Sequence, residues 1–260
     1  MRTINRTTTT NIIATVDRLG GSIPKKAAAE WEKLNVLYDK ANNLNPVDNR
    51  ASAVLAVLEA DGDLHSDPAV QRAVTAHEVR DTHGPIAAEL DRRVTAFLDT
   101  YGSDLLESLR QPFDQAAATI TECLDKLGDV ALDDSTATLR RGGDAAQIWL
   151  DAQVATKAIS DIVTTMKLMS PSPLDARYQL LLFADVSPAT FIDDQLTGVK
   201  LSAWDAARRG YPLSFATPAT AKERRDAIIA ERQQRAQHAE GAFAREHRRT
   251  RGDGGVVVVR

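Results

Sequence analysis

A single cysteine, Cys123, stands in a chain of 260 residues. That scarcity excludes an intramolecular disulfide and a cysteine-based zinc ribbon together. Nothing here calls for an oxidising compartment. Cys123 falls on an apolar helical stripe, where a thiol reads as a small buried hydrophobe rather than a nucleophile. Long apolar runs are missing too. No segment approaches the ~20 apolar residues of a membrane-spanning helix, and MRTINRTTTTNIIATVDRL at the start holds no run suited to a secretory signal. The expectation is a cytoplasmic protein without membrane contact.

The motifs of common chemistries are equally scarce. Neither GxxxxGK followed by Ser or Thr nor GxGxxG occurs, so no glycine-rich phosphate cradle is expected. No GxSxG nucleophile elbow is present. His65, His77, Glu78, Asp81 and His83 make the densest set of metal-ligating types. The six-residue step from His77 to His83 puts their imidazoles on different helix faces, whereas paired zinc histidines need a step of four. The adjacent acids Asp133-Asp134 and Asp193-Asp194 read as caps and solvated turns rather than an acid–base pair. Arg251-Gly252-Asp253 spells an adhesion tripeptide by chance in a chain with no secretory signal. The sequence therefore points to no catalytic residue, no metal and no cofactor, and to a non-enzymatic protein.

Aromatics form only 5% of the chain, while alanine is abundant, a balance that suits helices. Two stripes dominate. Ile86, Leu90, Val94, Phe97, Tyr101, Leu105 and Leu109 recur every three or four residues, and the same stripe continues through Phe113, Ala116, Ile120, Cys123 and Leu127. Ala145, Ile148, Ala152, Ala155, Ile159, Ile162, Met166 and Met169 mark a second arm. The first stripe advances about 3.7 residues per step and the second about 3.4, so they drift in opposite senses around a helix of 3.6. One shared coiled-coil seam is excluded, and packing inside a bundle is expected. Gly102-Ser103 and Pro112 are the two places where the first arm is expected to break or bend. Unbroken, it would span about 65 Å.

Smaller segments fill in the order. A short helix is expected over Asn11 to Leu19, closed by Gly20-Gly21, after loose threonine-rich residues. Ser22 and Pro24 open a helix with Ala27, Trp31, Leu34, Tyr38 and Ala41 on one face. A third, from about Asp48 to Ala60, is expected to bury Ala51, Val54, Leu55 and Leu58. Asp67-Pro68 caps a fourth through Val70 and Val74. The connection GDVALDDSTATLRRGG leads to the second arm, with Asp144 as its expected cap. Beyond Met169, residues 171–217 hold six of the thirteen aromatics. Thr217-Pro218 then starts a long polar helix whose large apolar residues are Ile228, Ile229 and Phe243. The tail GDGGVVVVR is flexible and then strand-prone.

The domain reading follows: a loose segment with a short helix at 1–22, a helical bundle at 23–170 built on a hairpin at 85–169, an aromatic-rich helical module at 171–217, a basic helix at 218–250 and a tail at 251–260. The fold expected is all-α, an elongated antiparallel bundle with a small aromatic-rich cap and a protruding basic C-terminal helix.

Charge is unevenly placed. Residues 43–134 carry 18 acidic and 7 basic side chains, whereas residues 196–251 carry 12 basic and 6 acidic. The basic end invites comparison with nucleic-acid binders. SPATFIDDQLTGVKLSAWDAARRGYPL resembles the helix-turn-helix of excisionase and MerR-type DNA binders at Leu196, Gly198-Val199, Trp204, Arg208-Arg209, Gly210 and Pro212. It departs from them at Asp194, where those motifs have a small residue, and its second helix is one residue short. The resemblance implies DNA contacts by Lys200, Arg208 and Arg209, with Lys222, Arg224 and Arg225 of the next helix adding phosphate contacts.

Two function classes emerge. The favoured one is a structural or assembly protein, self-associating or binding other proteins through helical surfaces, with Trp204, Ile228 and Phe243 as interaction residues. Assembly proteins of phages or mobile elements suit this profile. The alternative is nucleic-acid binding through residues 187–212 and the basic C-terminal helix.

Overall fold

Apolar residues spaced by three and four fold here into helices from one end of the chain to the other. A computed structural model describes residues 5–42, 50–60, 63–81, 83–128, 130–134, 136, 142–170 and 174–252, without the side chains of 50, 76–81, 83 and 243–252, and among the described residues no β-strand forms. The chain is all-α. Its helices are α1 (Arg6–Arg18), α2 (Lys25–Asn42), α3 (Arg50–Glu59), α4 (Pro68–Asp81), α5 (His83–Glu107), α6 (Arg110–Leu127) and α7 (Ala145–Met169). A 3-10 helix (Ala176–Leu182) follows, then α8 (Pro188–Asp193), α9 (Ala203–Arg208) and α10 (Pro218–Gly252). No helix among the described residues is long and apolar enough to cross a membrane.

The chain divides into two units between Leu109 and Arg110. That division falls within the first apolar stripe, which is two helices rather than one. The break lies at neither Gly102 nor Pro112. Gly102 is buried inside α5. The helical run is interrupted at Ser108 and Leu109, where Leu109 N–H donates to the Leu106 carbonyl at 3.0 Å in a tightened turn. Pro112 explains the position. With no N–H to give, proline is tolerated in a first helical turn, and restarting at Arg110 puts Pro112 there.

In the first unit α5 is the central element, packed by α1, α2 and α4, with α3 on α4. Val94, Phe97 and Leu105 are buried from α5, Trp31 and Leu34 from α2, and Ile12 and Val16 from α1. Trp31 and Phe97 meet with ring centroids 5.5 Å apart. Helix α1 begins earlier than expected, at Arg6, because the Asn5 side chain accepts the Thr8 N–H at 2.9 Å and so caps the threonine-rich stretch. It ends at Gly20-Gly21. Gly20 has φ +82°, and a Cβ on Gly21 would lie 2.8 Å from Val16 Cγ1 and 3.0 Å from Ser108 Oγ. Both positions therefore require glycine, one for its dihedral and one for its space.

The second unit is built on α6 and α7, which pack along their length. They run antiparallel: Asp151, early in α7, acts on the Cys123 thiol, late in α6. Phe113, Ile120 and Leu127 from α6 interlock with Ala152, Ile159, Ile162 and Met166 from α7, all buried. The small residues of α7 lie towards its start and the large ones later, as the stripe predicts. Asp144 precedes α7 without a side-chain capping bond, because its φ of −80° and ψ of 3° are not the extended geometry a capping residue needs.

The aromatic module expected to be wholly helical contains an extended pairing. Ala184 and Leu213 form an antiparallel bridge, flanked by Asp185 N–H to Pro212 O at 2.8 Å and Ser214 N–H to Phe183 O at 2.9 Å. Pro212 can sit at such a place because only its carbonyl is used.

Candidate functional site

Residues singled out from the sequence gather in the second unit, around α9 and the first turns of α10. Ser202 opens α9 with a capping box: its hydroxyl accepts the Asp205 N–H at 3.1 Å, and Asp205 returns to the Ser202 backbone. This fixes Trp204 inward. Trp204 is 0% exposed, and its indole N–H donates to the Val130 carbonyl at 2.8 Å. The expected interaction role of Trp204 thus becomes an internal one, tying α9 to the connection after α6. Ile228, also 0% exposed, is likewise spent on this unit's own core. Phe243, the third expected interaction residue, has a side chain outside the described residues.

The two helices that resemble a helix-turn-helix do not pack on each other in that manner. Helix α9 lies against α6 and α7, while α8 lies against α10. Burial of Ala203, Trp204 and Ala206 occupies one face of a six-residue helix. Tyr211 donates to Asp194, the position at which the sequence departs from the family pattern. Burial first and then this bond push the Tyr211 phenol above its ordinary range.

The expected nucleic-acid contacts separate into two groups. Lys200, Arg209 and Lys222 are exposed. Arg209 also meets the Tyr211 phenol, and the other three are engaged by their own chain. Arg208 lies 3.6 Å from Asp205, and Arg225 pairs with Asp226 at 2.6 Å. Arg224 has a side chain only 19% exposed. Its guanidinium donates to the carbonyls of Leu181 (3.2 Å) and Ala184 (3.1 Å) and to the Ser214 hydroxyl (3.2 Å). It is the clasp that holds α10 to the extended pairing. Further along α10, Arg232 donates to the Thr197 hydroxyl, and Arg235 bridges Asp193 at 2.6 Å and Glu231 at 2.7 Å. The Asp193 bond and then the Glu231 bond hold the Arg235 guanidinium above its usual range. Sequence reasoning missed this use of α10. The signal available was Ala221 and Ile228, two turns apart, marking a buried stripe on an otherwise polar helix.

Cys123, the one cysteine of the chain, is buried in α6. Burial, then Asp151, pushes the Cys123 thiol up, away from the thiolate a nucleophile needs. Among the described residues no group of three or more His, Cys, Asp or Glu is placed to hold a metal ion.

The first unit carries a different feature. In α3 the residue buried is Val57, while Leu55 is 57% and Leu58 53% exposed. The expectation that Leu55 and Leu58 turn inward is corrected: α3 packs on α4, and Val57 is the residue it buries among its described side chains. Val74 on α4 is exposed too, with Ala73 and Val70 buried in its place.

No family model, no curated protein and no solved structure matches the chain.

Proposed function

We propose that the chain is a non-enzymatic assembly protein that self-associates through helical surfaces of its first unit. The observation carrying this reading is the exposure of Leu55 and Leu58 on one short helix, with Val74 exposed on the helix it packs against. Scattered single apolar residues are ordinary on a surface, but a leucine pair on one helix with a valine on its neighbour has a cost in water. Burying a leucine side chain contributes about 1.5–3 kcal/mol, so covering three such positions offsets part of the entropy lost on association.

Self-association would raise the mass in light scattering above the 28.3 kDa of one chain as concentration rises. The double variant Leu55→Asp, Leu58→Asp is expected to stay at the monomer mass with unchanged helical circular dichroism. A wild-type chain that remains at one-chain mass at high concentration would sink the proposal.

Nucleic-acid binding has less support. Of its six expected contact residues, Arg208, Arg224 and Arg225 are turned to partners within the chain. Three exposed cations, Lys200, Arg209 and Lys222, are too few for strong phosphate binding, whose affinity grows with each phosphate neutralised. A gel shift with duplex DNA is expected to show no retardation at low salt. A shift that vanishes steeply with added salt would reinstate this alternative.

A further inference from the structure

The second unit holds a cavity of about 220 Å³ between α7, the 3-10 helix and the segment leading into α9. That volume lies below the roughly 300–1,000 Å³ of pockets that take drug-sized ligands, which limits an occupant to a small molecule. Its apolar wall is made by Ile159, Val163, Leu180, Phe183 and Leu201. Two lysines, Lys167 and Lys200, line it, and among the described residues no carboxylate does. Lysine is usually balanced by a nearby acid when it leaves open solvent. Half-buried Lys167 instead has as its hydrogen-bond partner a neutral group, the Gln179 side-chain oxygen at 3.1 Å. Lys200 is exposed at the rim.

We infer that this cavity is a binding site for a small amphiphilic carboxylate. The acyl chain lies on the Ile159–Phe183 wall, and the carboxylate meets the Lys200 and Lys167 ammonium groups. The apolar wall disfavours a bare inorganic anion. The lysines also disfavour an amine or an alcohol of the same length, because an amine repels them and an alcohol leaves both charges unmet.

Octanoate titrated into the full-length protein, followed by amide NMR shifts, tests the inference. Saturable shifts are expected at Thr156, Gln179 and Lys200, with octylamine and octanol binding at least about tenfold more weakly. Lys200→Gln should weaken octanoate about fivefold, the effect of losing a partly exposed charge pair. Lys200 is exposed, so its variant is expected to melt at the wild-type temperature and isolates the charge from the fold. Lys167→Gln should weaken binding similarly. The inference is overturned by the absence of saturable shifts at millimolar octanoate. Octylamine, octanol or inorganic phosphate binding within twofold of octanoate would overturn it as well, as would Lys200→Gln binding unchanged.

Discussion

Arg224 is the residue on which the sequence reading and the structure differ most in meaning. An arginine in a polar helix reads as a phosphate contact, yet its planar fork of donors suits two carbonyls and a hydroxyl as well as it suits phosphate oxygens. Removing it leaves those oxygens beneath α10 without their donor. Arg224→Met is expected to lower unfolding free energy by about 2 kcal/mol, since hydrogen bonds from a charged group each contribute roughly 1.5–3 kcal/mol. The shift in urea midpoint measures it, and Arg224→Lys should recover only part, because an ammonium cannot span the fork. Glu89 gives a second test at this scale. Its carboxylate accepts from Arg92 at 2.8 Å and Arg93 at 2.9 Å, and these bonds hold its pKa at about 2 against an ordinary 4.5. The folded value lies below the unfolded one. The ionised form therefore stabilises α5 above about pH 4.5, and that contribution is lost as pH falls towards about 2. A carboxyl-carbon NMR titration should find the Glu89 midpoint near about 2, moving up when Arg92 and Arg93 are both changed to glutamine.

Helices with strong stripes were legible in the sequence, and those without were not. Every large apolar residue expected on α6 is buried, and so are Ile159, Ile162, Met166 and Met169 on α7, because a helix with partners on one side lets period alone decide its orientation. The break between α5 and α6 was not legible, since the stripe runs through Leu105, Leu109 and Phe113 without a missed step. Proline fixes where a helix restarts better than where the previous one stops. Helix α3 failed for a different reason. Its composition is apolar enough for several faces to serve, and the packing against α4 chose Val57 over Leu55 and Leu58. The 3-10 helix and the bridge at Ala184 carry no period of their own, as expected for short elements settled by tertiary hydrogen bonds. At this scale the proposal for α3 is open to a further check: Leu55→Glu alone should weaken self-association measured by sedimentation and leave thermal unfolding within about 0.5 kcal/mol, as for an exposed substitution.

At the scale of the whole molecule, each unit has its own core and is closed by side-chain bonds between distant parts of its own chain. In the first, Tyr38 meets Asp91 at 2.6 Å, 53 residues along, beside the Trp31–Phe97 ring pair. In the second, Arg224 meets the Leu181 carbonyl, 43 residues away. That separation has a consequence for synthesis. The polypeptide leaves the ribosome in order, so the pairing at Ala184 and Leu213 exists for a time with no α10 to cover it. Its carbonyls at Leu181 and Ala184, and the surface later sealed by Ala221 and Ile228, wait until α10 has been made. A chain stopped just before Pro218 is expected to accumulate in the insoluble fraction, whereas one extended through Arg235 should remain in solution. A stop that removes all of α10 would then act as a defect in solubility, whereas one placed beyond Arg235 would leave the closed unit in solution.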